Sequence, residues 1–353
     1  MNPLQKLAAL GQSPWLDFIS RRSIRGGQIA SLVDQGVLGV TSNPAIFEQA
    51  INGSADYDED IQKYAAEGLN AFEIYDRISI QDVAEAADLL LPVYEKTGGL
   101  DGYVSLEVRP ELARDTEGTI SEARRLWQEL NRPNVMIKIP ATAEGIPAIR
   151  QAIADGINVN VTLLFSLERY RETALAYIEG LEQTSRISTA SVASFFVSRI
   201  DTLVDASLPK ELEGEAAIAW SLASYKIFQE VFSGPHWETL AAKGAKVQRL
   251  LWASTSVKNP DYSPVKYCEA LAGPDTVNTM PLATIEAYLK MGEPANALAS
   301  SDPTTVLDGV KAAGVDLEEA AIQLENEGID KFIQPFEKLL KSIEEKAAQL
   351  AKA

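Results

Sequence analysis

The chain is poor in the two residues on which many protein sites are built. Among 353 residues, Cys268 is the only cysteine and His236 is the only histidine. One cysteine cannot form an intrachain disulfide, and the two residues are too few for a cysteine–histidine metal cluster. One histidine also disfavours a serine–histidine–aspartate triad, since His236 precedes Trp237 and is most simply a loop residue at a helix start. We therefore expect no bound metal.

Long apolar runs and positive charge are also scarce. No hydrophobic run approaches membrane-spanning length, and Met1 to Ser20 lacks the basic start and apolar core of a signal peptide. The formal net charge is −18, and no stretch of Lys and Arg is dense enough for nucleic-acid binding. We expect a cytoplasmic protein that binds neither membranes nor nucleic acid and holds any anionic ligand with a few cations. Homo-oligomerisation is left open.

What the chain does have is a regular alternation of short apolar segments with longer amphipathic ones. The short segments predict eight strands, at Pro14–Ile19, Val37–Thr41, Gly102–Val108, Asn134–Ile139, Asn158–Leu163, Ser191–Phe196, Val247–Ser254 and Thr276–Met280. Helical patterns lie between them, as at Ala71–Glu95, Thr119–Glu129, Gly145–Ala154, Ser166–Glu179 and Glu215–Phe232. Eight strand–helix units can close into a parallel α/β barrel, the (β/α)8 or TIM barrel.

The last part of the chain follows a different pattern. From Asp302 to Ala353 it is rich in Ala, Glu, Leu and Lys, which predicts additional helices packed on the outside of the barrel. No linker rich in Pro or Gly divides the sequence. We therefore expect one domain over residues 1–353, with residues 302–353 as a helical C-terminal extension packed on it.

Several predicted strands carry polar residues at alternate positions near their C-terminal ends. Glu107 stands in VSLEV, Lys138 in VMIKI, and Asn160 and Thr162 in NVNVTL. Because side chains alternate along a strand, these four are expected to point into the barrel mouth. Active sites of such barrels lie at that end.

Lys138 is the centre of this group. An amine enclosed by apolar strand residues is partly desolvated, which favours its neutral form and attack on a carbonyl carbon. The alternative is that Lys138 only neutralises an interior carboxylate, for which Glu107 on the preceding strand is the candidate. Glu107 is otherwise a general acid or base, acting directly or through a water that Thr162 holds.

Further polar residues follow other strands. Asp17, between Leu16 and Phe18, is either a helix N-cap or a carboxylate of the site. Asn43 before Pro44 predicts a helix start, and its amide can still reach a ligand. Beyond the sixth and seventh strands, Arg199 could clamp a phosphate and Lys258 could add a charge, although such cations are more often solvated.

Together these segments resemble the transaldolase family, in its longer bacterial type without a fused isomerase domain. The resemblance runs from about Pro14 past Pro281, and its motifs stand in the expected order. They are WLDFISR around Asp17, TSNPAIF around Asn43, VSLEVRP around Glu107, IKIPAT around Lys138, INVNVTLLFS around Thr162, SVASFFVSRID around Ser194 and Arg199, LWASTSVKNPDY around Lys258, and DTVNTMP at the eighth strand.

The resemblance implies a role for each matching residue. Lys138 matches the lysine that forms a Schiff base with the substrate. Glu107 and Thr162 match the pair that holds a catalytic water, and Asp17 matches the base that takes the C4 hydroxyl proton. The implied substrate-binding residues are Asn43 and Asn160 for the three-carbon fragment, Ser194 and Arg199 for the phosphate, Phe196, and Lys258 where many relatives have Arg.

The implied activity is a transferase of the non-oxidative pentose phosphate pathway that needs no metal or organic cofactor. It would move a dihydroxyacetone unit from fructose 6-phosphate or sedoheptulose 7-phosphate to erythrose 4-phosphate or glyceraldehyde 3-phosphate. One alternative is an aldolase that releases dihydroxyacetone, although such relatives tend to carry Gln at Glu107 and Tyr at Phe196. The other is a barrel that binds sugar phosphates without catalysis.

Overall fold

Eight parallel strands form a closed barrel in the order of the chain. The computed structural model of the protein describes residues 1–351. The strands are β1 Gln12–Asp17, β2 Val40–Thr41, β3 Val104–Glu107, β4 Val135–Pro140, β5 Val159–Leu164, β6 Ser191–Phe196, β7 Arg249–Ala253 and β8 Thr276–Met280. The predicted (β/α)8 barrel is confirmed.

Helices follow the strands and cover the outside of the barrel. They are α1 Pro3–Ala9, α2 Arg21–Arg25, α3 Gln28–Asp34, α4 Pro44–Asn52, α5 Asp58–Ala66, α6 Ala71–Lys96, α7 Thr116–Leu130, α8 Gly145–Ala154, α9 Leu167–Gln183, α10 Ser198–Val204, α11 Ala216–Val231, α12 Gly234–Ala241, α13 Lys266–Ala270, α14 Leu282–Met291, α15 Thr304–Ala312 and α16 Leu317–Leu350. Within residues 1–351, no helix is long and apolar enough to cross a membrane.

Short polar side chains fix where several of these helices begin. Asn70 and Glu73 form a reciprocal capping box at the start of α6, and Ser166 accepts a hydrogen bond from the Arg169 amide at the start of α9. His236 lies in the first turn of α12 rather than in the loop before it. These caps give hydrogen-bond partners to backbone amides in the first turns of α6 and α9.

The first two strands differ from their predicted bounds. β1 begins at Gln12, whose buried amide donates to the Leu271 carbonyl at 2.6 Å. Because this first residue is polar, the hydrophobic pattern of the sequence does not show where the strand begins. β2 contains only Val40 and Thr41. A Cβ at Gly39 would lie 2.5 Å from the Trp15 ring, so this approach requires glycine.

A buried ionic network closes the N-terminal end of the barrel. Asp101 contacts Arg249 of β7 at 3.0 Å and accepts hydrogen bonds from Ser13 and Trp15 of β1. Arg249 also donates to Ser13 at 2.7 Å. All four side chains are buried, so the network joins β1 and β7, which flank β8, to the loop before β3.

The C-terminal helices pack against the barrel and its helices. α16 lies along α4, α5 and α6 and reaches the end of β5. There β5 is irregular, because its register with β6 shifts between Val161 and Leu164 and Leu163 has a φ of +57°. A Cβ at Gly328 of α16 would lie 2.9 Å from Leu163 Cδ2, so a glycine brings this helix close to the barrel mouth.

Candidate active site

Lys138 and Glu107 form a buried pair at the C-terminal ends of two adjacent strands. They are register partners on β4 and β3, and Lys138 Nζ lies 3.3 Å from Glu107 Oε2. The amine also donates to the Ser42 carbonyl at 3.0 Å. Burial raises the pKa of Glu107, and the charge of Lys138 opposes that rise. The pair can therefore hold or exchange a proton away from bulk water.

Asp17 ends β1 and faces the same space. Its carboxylate accepts a hydrogen bond from Thr41 Oγ1 at 2.7 Å. Burial raises the pKa of Asp17, while Lys138 and the Thr41 hydrogen bond lower it in part. Asp17 is not an N-cap, because Ser20 caps α2 by accepting a hydrogen bond from the Ser23 amide. Asp17 lines the pocket instead, and its catalytic role stays a prediction.

Asn43 and Thr162 add short polar groups to the pocket. Asn43 caps α4, since its Oδ1 accepts from the Ile46 amide at 3.0 Å, and it also lines the pocket. The Thr162 hydroxyl is buried and has no hydrogen-bond partner among the residues that the structure describes. A hydroxyl in that position is free to bind a ligand or a water beside Lys138.

Asn160 and Ser194 bond to each other inside the barrel. Ser194 donates to Asn160 Oδ1 at 2.7 Å, and Asn160 Nδ2 donates to Ser105 Oγ at 3.0 Å. Asn160 is the register partner of Lys138 on the next strand. These bonds hold Ser194 on the lysine side of the pocket.

The opposite side of the pocket is positively charged. The Arg199 guanidinium lies over the Phe196 ring at 5.3 Å, and its Nη1 has no hydrogen-bond partner in the described chain. Lys258 also lines the pocket, and its amine donates a hydrogen bond of 2.8 Å to Ser256 Oγ. Partial burial lowers the pKa of both cations, and the charge of Arg199 lowers that of Lys258 further. An anion between them would relieve both effects.

A cavity of about 230 Å³ joins these groups. Its lining residues are Asp17, Thr41, Asn43, Ala45, Lys138, Thr162, Ser194, Phe196, Arg199, Ala253, Ser254, Ser256, Lys258, Thr279, Pro281, Lys331 and Phe332. Of the residues predicted for the site, Glu107 and Asn160 do not line it. Each of them contacts a residue that does line the cavity: Glu107 contacts Lys138, and Asn160 accepts a hydrogen bond from Ser194.

Two lining residues that the sequence did not indicate come from α16. Phe332 lies with its ring centre 6.0 Å from Lys138 Nζ, and Lys331 pairs with Glu327 at 2.7 Å beside the positive side of the pocket. Phe332 belongs to an apolar stripe of period four along α16, which also contains Leu324 and Phe336. That stripe predicts a buried helix face, but it does not tell which surface the face covers.

The comparisons with known proteins agree with one another. The family model described as Transaldolase/Fructose-6-phosphate aldolase matches residues 14–343. The chain is 45% identical to a transaldolase of Trichodesmium erythraeum, covering 99% of this chain and 98% of that protein. It is 47% identical to a transaldolase of Thermobifida fusca, with 99% of each covered, and 46% identical to one of Saccharopolyspora erythraea, with 98% of each covered.

Proposed function

The chain belongs to the transaldolase/fructose-6-phosphate aldolase family, and we propose that it is a transaldolase whose covalent intermediate forms on Lys138. It moves a dihydroxyacetone unit from sedoheptulose 7-phosphate or fructose 6-phosphate to glyceraldehyde 3-phosphate or erythrose 4-phosphate, in the non-oxidative pentose phosphate pathway. One observation carries the role of Lys138. Its buried amine lies 3.3 Å from a carboxylate, in a cavity whose other side holds Arg199 and Lys258.

Binding begins at the positive side of the pocket. The phosphate of the ketose sits between Arg199 and Lys258, where it relieves their mutual repulsion. A planar guanidinium can bind two phosphate oxygens at once, whereas an ammonium acts as a point charge. With the phosphate held there, the carbonyl end of the sugar extends toward Lys138 across the cavity.

Imine formation uses the buried pair. The neutral amine of Lys138 attacks C2 of the ketose, and the resulting carbinolamine must gain a proton on its hydroxyl before water leaves. Glu107 supplies and removes these protons, directly or through a water held with the Thr162 hydroxyl. The raised pKa of Glu107 suits this exchange, since the group accepts protons more readily than an exposed carboxylate.

Carbon–carbon cleavage uses Asp17. It takes the proton of the C4 hydroxyl, the C3–C4 bond breaks, and its electron pair moves into the protonated imine. The aldose phosphate leaves as an aldehyde and a neutral enamine stays on Lys138. The enamine carbon then attacks the carbonyl of the acceptor, and Asp17 returns its proton to the new hydroxyl. A raised pKa lets Asp17 carry a proton between the two half-reactions.

The three-carbon unit is held at the lysine end. The Asn43 amide lines that end of the cavity, and Asn160 and Ser194 form the hydrogen-bonded pair beside Lys138. We move Ser194 from the phosphate site, where the resemblance puts it, to the three-carbon unit, because it bonds to the register partner of Lys138. Groups already bonded to each other lose little freedom on binding, so they can orient the dihydroxyacetone hydroxyls at low entropic cost. The Phe196 ring packs against the Arg199 guanidinium, and the ring centre lies 5.3 Å from Arg199 Cζ.

The proposed ligands of the enzyme are small sugar phosphates, and we assign the enzyme to the cytoplasm. The chief alternative is an aldolase that releases dihydroxyacetone, because the matching family model covers both activities. Glu107 and Phe196 favour transfer over release, since the aldolase-like relatives tend to carry Gln and Tyr there.

Borohydride trapping tests the covalent step. The protein is mixed with fructose 6-phosphate and reduced, the adduct is located by intact mass and peptide mapping, and free dihydroxyacetone is assayed in parallel. We expect a three-carbon adduct on Lys138, little free dihydroxyacetone, and neither adduct nor turnover in Lys138→Ala. Steady release of dihydroxyacetone would favour the aldolase. Absence of an adduct in folded wild type that binds the sugar would leave a binding protein.

A further inference from the structure

Phe332 is the one aromatic side chain of α16 that lines the cavity among the residues the structure describes. Its ring centre lies 6.0 Å from Lys138 Nζ, and its side chain is 8% exposed. It comes from outside the eight strand–helix units, whereas the predicted site residues all come from the strands or from the segments that follow them. A large apolar ring thus covers the amine on which the intermediate forms.

The position of Phe332 is set one helical turn earlier. Gly328 lets α16 approach Leu163, whose φ of +57° marks the irregular end of β5. Residues four apart lie on the same face of a helix, so a close approach at Gly328 directs Phe332 to the same side. One turn later Phe336 packs on Tyr75 at 5.3 Å and on Phe72 at 6.4 Å. Phe332 is therefore held between two fixed contacts.

In the chemistry proposed for Lys138, water is the main competitor of the acceptor aldehyde for the lysine-bound intermediate. After the aldose phosphate leaves, a proton added to the enamine carbon gives a protonated imine. Water then adds to the imine carbon, and collapse of the carbinolamine breaks its C–N bond, which returns the amine and frees dihydroxyacetone. Transfer requires that an acceptor aldehyde reach the enamine before this sequence is complete.

We propose that Phe332 determines reaction specificity, by keeping bulk water from protonating the lysine-bound enamine so that transfer exceeds release, while a water between Glu107 and Thr162 still serves imine formation. This inference rests on the transaldolase function proposed above. The alternative is that Phe332 is only a core residue of the α16 stripe. The two differ in what they predict for product partition, because loss of core packing lowers the amount of folded enzyme but leaves the ratio of its two products unchanged.

The experiment compares Phe332→Leu and Phe332→Ala with wild type in the full chain. Fructose 6-phosphate is the donor, and the rates of sedoheptulose 7-phosphate formation from erythrose 4-phosphate and of dihydroxyacetone release are measured together. We expect the ratio of release to transfer to rise about tenfold in Phe332→Ala, which corresponds to a change of ~1.4 kcal/mol between the two barriers, and to rise less in Phe332→Leu. Leu retains apolar volume but leaves part of the ring space open.

Ile343→Ala is the matched control. Ile343 lies on the same buried face of α16, about three turns beyond Phe332, and does not line the cavity, so its loss should lower the melting temperature with no change in the ratio. A wild-type ratio in folded Phe332→Ala, or in Phe332→Leu where the Ala variant does not fold, would overturn the inference. Failure of the proposed function is separate, because it would show as no borohydride adduct in wild type.

Discussion

Arg199 and Lys258 stand close enough in the pocket that the charge of one lowers the pKa of the other. Arginine stays protonated across the pH range in which proteins are stable, so Lys258 is the one of the two that loses its proton. A lysine whose pKa is lowered becomes neutral at a lower pH than an ordinary lysine. The phosphate affinity of this site should therefore weaken on the alkaline side.

Lys258→Arg tests this expectation. As the pH rises from about 8 to about 10, the KM of wild type for fructose 6-phosphate should increase several-fold, because Lys258 loses its proton while an arginine does not. The variant should show a flatter KM profile over the same range, with kcat little changed. Fructose, which lacks the phosphate, is the control substrate, and its KM should be the same for both proteins at each pH. Parallel KM profiles for fructose 6-phosphate would contradict the expectation.

Much of the site could be predicted from individual residues, because alternation along a strand assigns a side chain to the inside or the outside of the barrel. Alternation assigns Lys138 and Thr162 to the barrel mouth, and both line the cavity. The same rule could not reach Phe332 or Lys331. Their place in the cavity comes from the docking of a helix far along the chain, which no local pattern encodes.

At the scale of elements, the contact of α16 with β5 depends on the size of residue 328. A Cβ there would lie 2.9 Å from the flexible end of Leu163, so Gly328→Ala requires only a small movement of one methyl group. Alanine also favours a helix by about 1 kcal/mol over glycine. A branched side chain cannot be fitted by so small a movement, and it should push α16 away from the barrel.

We therefore expect Gly328→Ala to keep wild-type activity and stability within about 1 kcal/mol, and Gly328→Ile to lose about 1–3 kcal/mol of unfolding free energy through overpacking. The Ile variant should also lose kcat in transfer, because Phe332 moves with the helix. Urea denaturation and steady-state assays measure the two quantities. Equal kcat in the Ala and Ile variants would mean that the position of α16 does not affect the site.

The sequence predicted β6 and β8 better than the first two strands. β6 and β8 have their predicted bounds, and each begins with one polar residue, Ser191 or Thr276, directly before an apolar one. β1 starts earlier because Gln12 and Ser13 are buried through hydrogen bonds to distant parts of the chain. Buried polar residues with distant partners cannot be recognised from local hydrophobicity.

On the scale of the whole molecule, the two ends of the barrel have different roles. The C-terminal end carries the cavity, and the N-terminal end is closed by Arg249 and Asp101 with Ser13 and Trp15. Both charged side chains are almost fully buried, so each depends on the other for compensation of its charge. Substitutions there should change stability without changing the chemistry.

Arg249→Met should cost about 3–5 kcal/mol of unfolding free energy, because it leaves the Asp101 charge buried without its partner. Adding Asp101→Asn to the same chain should recover part of that loss, since no isolated charge then remains. Denaturant unfolding gives the free energies, and kcat per folded molecule should match wild type in both variants. A loss below about 1 kcal/mol in the single variant would show that solvent or a rearranged side chain compensates Asp101.

The lone thiol provides a way to follow the opening of the barrel. Cys268 lies in α13 with no exposed surface, and burial raises its pKa to about 11. A thiol reagent needs both access and the thiolate, so it can modify this residue only while the packing around α13 and β8 is open. Since the chain has no second cysteine, the labelling rate of the unmodified protein reports that opening without background. The natural sequence thus contains its own single-site probe of transient unfolding.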